Sequence, residues 1–227
     1  MAFRMIRGAA PELSAALRSL DESIAVEFAG TIGIGGSLRA TVTLPWGPRG
    51  GCFDPLVTLA RPLYPGGLSP LLGSVVVEGG LTLPVGRHTR SVPLTFPHDS
   101  DDNPGLILGG RGVRRLRGAL RASGSLDLRV PLGRGSRRGR LAMAGGDLTW
   151  RFWRPGLEVS AGVLGVRQDG GTVAPRKHAA LLVVGVAGAA RGFPPGKWWW
   201  RLEAESRVLG EASRGLRLSA GRRFHGR

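Results

Sequence analysis

The chain has 227 residues, with 32 basic and 16 acidic side chains and a formal net charge of +16; arginine supplies 30 of the basic residues. One cysteine, Cys52, excludes a disulfide-framed module, and the longest apolar run (179–190) falls short of the roughly 20 residues that a spanning helix needs. A hydrophobic content of 42% argues against a wholly disordered chain. The charge favours a polyanionic or acidic partner. A GC-rich genome would explain arginine over lysine, but not twice as many bases as acids.

Residues 1–8 carry Arg4 and Arg7 with no apolar core behind them, so no signal peptide is expected. Over 11–28, Leu13, Ala16, Leu17, Leu20 and Ile24 recur at helical spacing, with Pro11 suited to the first turn and Gly30 to a stop. The segment 1–30 is therefore expected to hold a helix, ahead of a single β-rich domain over 31–227. Within that domain the period becomes two. Ala40, Val42 and Leu44 alternate with Arg39, Thr41 and Thr43, and Leu126, Leu128 and Val130 with Asp127 and Arg129. The same pattern returns at Leu157–Val163, Leu202–Val208 and Leu216–Ala220. Gly79-Gly80, Gly145-Gly146, Asp169-Gly170-Gly171 and Pro194-Pro195-Gly196 read as turns. Six prolines over 45–70 predict an irregular arm or loop. The expected fold is all-β, an antiparallel sandwich or barrel with one N-terminal helix and a Pro-rich arm.

The stretch 111–140 is the most basic. Arg111, Arg114, Arg115, Arg117, Arg121, Arg129, Arg134, Arg137, Arg138 and Arg140 face one acid, Asp127, and Arg217, Arg222 and Arg223 add to an acid-free C-terminal segment. The planar guanidinium fork matches phosphate and carboxylate, so these arginines, Arg129 aside, are the candidate partner- or polyanion-binding residues. No zinc-finger, helix-turn-helix or RNP-type motif accompanies them, so any nucleic-acid contact is expected to be independent of sequence. Tryptophans cluster at Trp150, Trp153 and Trp198–Trp200. In a strand, Trp198 and Trp200 share one face while Trp199 takes the other, which makes Trp153 and Trp199 candidate interface aromatics.

Chemistry finds little footing. Asp99, Asp101 and Asn103 open like a calcium loop, but Pro104 and Gly110 stand where that loop needs Gly and Glu. His88, His98, His178 and His225 lack metal-ligand spacing, and residues 192–197 (GFPPGK) are a defective phosphate loop. Cys52 has no histidine near it in sequence. No catalytic residue, metal or cofactor is expected, and the chain is read as a non-enzyme.

Three readings remain. The favoured one is a structural subunit of a large assembly, a virion or phage capsid, neck or tail component in a virion or a cytoplasmic assembly. It would contact other subunits in a homo- or hetero-oligomer, and its arginines would meet packaged nucleic acid or an acidic neighbour. The second follows from the alternating strands of 141–224 and the closing segment GLRLSAGRRF (215–224), which resemble outer-membrane-type β-barrels with an aromatic-ended last strand. That resemblance implies a membrane location. The third is a basic ribonucleoprotein component.

Overall fold

The computed structural model describes residues 11–20, 23–35, 37–47, 51–64, 74–85, 103–133, 135, 139–152, 157–172, 176–190, 196–210 and 214–224. They form β1 (Glu12–Leu20), β2 (Ser23–Gly35), β3 (Leu38–Gly47), β4 (Gly51–Cys52), β5 (Leu56–Tyr64), β6 (Ser74–Thr82), β7 (Gly105–Arg115), β8 (Leu120–Pro131), β9 (Leu141–Arg151), β10 (Glu158–Gln168), β11 (Lys177–Ala190), β12 (Gly196–Gly210) and β13 (Gly215–Phe224).

All the pairings are antiparallel, each strand pairs with the next one along the ring, and one further ladder, β1 with β13, closes it. β1 pairs with β13 from Glu12↔Arg223 to Leu20↔Gly215, and β2 pairs with both β1 and β3. β4 pairs only with β3 and lies outside the ring, which leaves a closed barrel of twelve strands. Closure removes the unpaired edges that a sandwich would keep. Apart from β4 the strands run from 9 to 15 residues. At about 3.3 Å per residue and a tilt of about 40°, eleven residues rise about 28 Å, enough for the roughly 25 Å apolar band of a membrane barrel.

The two faces are inverted relative to a soluble sheet. Pairing puts Leu17, Val26, Trp46, Leu202 and Leu218 on one side, and there Leu17, Leu202 and Leu218 are each 45–48% exposed. Leu126 reaches 61% and Val163 56% on the same outer face. Among the described residues, seven hydrophobic side chains are buried, against eight polar ones that include Glu27, Asp54 and Glu205. The apolar half of each alternation therefore faces out, and the polar half lines the inside.

Several expectations change. No helix occurs among the described residues of 11–28: they form the hairpin β1–β2. Leu17 faces Val26 across it, and each strand completes the ring. Leu13, Ala15 and Leu17, then Ile24, Val26 and Phe28, satisfy a period of two as well as the helical spacing does. Two available ladders, with β13 and β3, decide between them. The 45–70 stretch contains β5 and its nine-residue strand. Gly79-Gly80 and Gly145-Gly146 lie inside β6 and β9 rather than in turns. A Cβ on Gly80 would stand 2.4 Å from the Val57 carbonyl oxygen, so close strand contact requires this glycine. Asp169-Gly170-Gly171 does connect two strands, β10 and β11. Pro194-Pro195 lies outside the described residues.

Candidate pore lumen

Every acidic residue in a described strand points inward: Glu12, Glu27, Glu78, Asp127, Asp147, Glu158, Glu203 and Glu205. Their basic partners come from the same inner face. Arg217 on β13 reaches over β1 to Glu27, with Nη2 donating to Oε2 at 3.3 Å. Arg201 and Glu203, two residues apart on β12, pair at 2.9 Å. Glu158 receives Arg151 at 3.2 Å and Arg121 at 3.8 Å. Arg129 donates to Thr82 at 3.2 Å and stands 4.0 Å from the fully buried Asp54. Asp147 accepts from Ser123 and, at 2.9 Å, from Thr149. Near the chain ends, Glu12 accepts from the Trp199 indole at 2.9 Å and from Arg223 at 3.0 Å, tying β1 to β12 and β13.

Gly109 sits between Glu78 and Asp127 in the ladder, and a Cβ there would meet Asp127 Oδ1 at 2.5 Å. The missing side chain lets these carboxylates approach over the β7 backbone.

Two cavities bounded by described residues lie in the interior. The larger, about 400 Å³, is lined by Arg111, Arg129 and Arg217 and by Glu27, Glu78 and Asp127, so its formal charges balance. The smaller, about 250 Å³, is lined by Arg201 and Arg217 against Asp127, Asp147, Glu203 and Glu205. Asp127, Met143 and Arg217 line both. Nε of Arg201 and of Arg217 is buried and bonded to no acceptor of the chain. Buried donors of this kind need a partner, so the interior suits water or a solute bearing acceptor atoms. One sector of the inner wall differs: Leu141, Val166, Ala179 and Leu181 form an apolar patch, with Met143, Leu164 and Val183 packed on it.

The candidate residues read from the sequence do not form one surface. Arg111, Arg121, Arg217 and Arg223 face the lumen. Arg114 and Arg222 face outward near strand ends, Arg115 and Arg117 mark the β7–β8 turn, and Arg140 is exposed in the connection before β9. Arg134, Arg137 and Arg138 lie outside the described residues, as do Trp153, Asp99, Asp101, Asp102, His88, His98 and His225. Trp199 points inward to Glu12, while Trp198 and Trp200 are exposed on the outer face. Sequence reasoning missed the inward acids. Their signal was present: Asp127, Glu203 and Glu205 occupy the polar phase of strands that were recognised. Among the described residues no cluster of three or more His, Cys, Asp or Glu could hold a metal ion.

No family model matches the sequence, and no curated protein matches it. Solved structures do resemble the fold. An outer membrane channel from Pseudomonas putida F1 aligns at a TM-score of 0.64 with 14% identity, over 95% of this chain and 96% of that one. The KdgM porin aligns at 0.59 with 10% identity, over 94% and 99%. The NanC porin aligns at 0.59 with 9% identity, over 96% and 100%. At such identities the likeness establishes the fold. It also overturns the favoured reading from sequence, since neither a capsid, neck or tail subunit nor a virion or cytoplasmic location fits a closed barrel shaped like outer-membrane channels. The physical error was to take the apolar phase of each strand as a protein core.

Proposed function

We propose that the chain is a non-enzymatic, porin-type channel of an outer membrane, giving small polar solutes a hydrated path through its barrel. The observation that carries this reading is the inversion of the faces: an apolar exterior at strand lengths that span a bilayer, around an interior that holds every acid of the described strands. The resemblance to solved porins and channels supports it. The connections also suit a membrane orientation. At the end bearing β1's start and β13's end, they span at most nine residues (65–73); at the opposite end one spans 83–104. Short turns face the periplasm in such barrels, which supports an orientation with the terminus-bearing end there.

The test is conductance. Refolded chain added to a planar bilayer should give discrete steps, and proteoliposomes should swell in small sugars and amino acids. Stable insertion with neither steps nor swelling would refute a channel and leave a closed structural barrel.

A further inference from the structure

The outer face has a charge pattern of its own. Among the described strand residues it carries no acid. Its charged side chains are Arg61, Arg114, Arg167 and Arg222, each within the last four residues of its strand. In a membrane barrel an outward arginine is costly at the midplane and nearly free at the interface, which accounts for those positions. Three of the four, Arg61, Arg114 and Arg222, lie toward the terminus-bearing end. Trp150, Phe152, Trp198, Trp200 and Phe224 form an aromatic belt at that end.

Arg222 is built into the belt. Its guanidinium carbon sits 5.3 Å from the centroid of the Trp198 ring and 5.0 Å from that of Phe224. Two rings flank the cation at the level where aromatic side chains meet headgroups, and a guanidinium presents a planar fork suited to phosphate.

We infer that the Arg222–Trp198–Phe224 cluster is a binding site for the phosphate of an anionic glycerophospholipid in the leaflet around the terminus-bearing end. The inference rests on the membrane reading above. The rings contact the glycerol and upper acyl region, and the guanidinium pairs with the phosphate. Arg114 and Arg61 supply the same sign elsewhere around the rim, and among the described strand residues no outward acid opposes them. Zwitterionic lipids offer a phosphate too, but their ammonium group cancels the attraction to the rim, so the net-negative class is preferred.

The experiment uses the full chain folded into phosphatidylcholine vesicles, titrated with brominated phosphatidylglycerol or brominated phosphatidylcholine, with tryptophan quenching as the readout. Wild type should take the anionic lipid about fivefold more strongly, the effect of one interfacial basic residue, and high salt should erase the preference. Arg222→Gln should lose most of it while keeping the heat-resistant gel mobility of a folded barrel. Arg167→Gln, at the opposite end, should retain it. Equal quenching by the two lipids in wild type, or an undiminished preference in folded Arg222→Gln, would overturn the site. So would a separate titration in which lipid A displaces no brominated phosphatidylglycerol because none is bound preferentially. Quenching by neither lipid would sink the membrane reading itself, and the site with it.

Discussion

Leu126 gives the sharpest test of which solvent the barrel's exterior meets. It lies at the middle of β8, points outward and is 61% exposed; its cross-strand partners are Gly110 and Ala144. Small neighbours leave room for a longer side chain, so Leu126→Arg adds a charge with little steric conflict. On a soluble protein this exposed change would shift stability by no more than about 0.5 kcal/mol. At a bilayer midplane it costs about 2–4 kcal/mol, a factor of about 30 to nearly a thousand in the folding equilibrium. The control is Leu120→Arg, at the start of the same strand beside Trp150, where the cost at the interface is about 0–1 kcal/mol. Reversible urea unfolding in phospholipid vesicles, followed by tryptophan fluorescence, measures both. Equal midpoints for the two variants would refute an exterior that faces hydrocarbon, whatever the resemblance to porins.

Gly80→Ala puts a Cβ 2.4 Å from the Val57 carbonyl oxygen and should destabilise the barrel by about 1–3 kcal/mol, whereas Gly112→Ala meets nothing within 4 Å and should be near neutral; urea midpoints compare them. Glu27→Gln leaves Arg217 without its charge partner and should lower stability by about 1 kcal/mol, discounted because the Arg217 side chain is 36% exposed; it should also move the reversal potential in a salt gradient toward anions. Glu12→Ala releases both Trp199 and Arg223 and should lower the temperature at which heat resistance on gels is lost, with single-channel conductance unchanged. Ser125→Phe points a ring into the cavity of about 250 Å³ and should reduce conductance by about twofold or more without changing gel mobility.

Much of the barrel was legible. The alternations at 39–44, 126–130, 202–208 and 216–220 fall in strands, and that at 157–163 does so from Glu158 on, because a period of two is a property of the pleat itself. The phase was not legible by the same route. Leu126, Leu128 and Val130 alternate with Asp127 and Arg129 whether the leucines meet a core or a lipid. The discriminator was the placement of acids, which occupy only the polar phase, together with the scarcity of a second apolar layer to cover the first. The helix misreading arose where two periods coincide over a few residues, and pairing partners in β3 and, 190 or more residues away, in β13 decided the outcome. The glycine pairs misled because glycine serves close backbone approach within a strand as well as chain reversal. The basic segment 111–140 reads as one patch in sequence, yet successive arginines alternate between lumen, exterior and turn, so linear charge density does not map onto a surface.

The ladder between β1 and β13 has a consequence in time. β1, the first described strand, has one of its two neighbours in β13, the last described one, so a chain still lacking β13 presents open strand edges and apolar faces together. No half-barrel built from the first strands can seal itself, and a ring missing either partner is an invitation to pair with another chain. Until β13 meets β1 the chain is open to pairing with its own kind, and that one ladder ends the exposure.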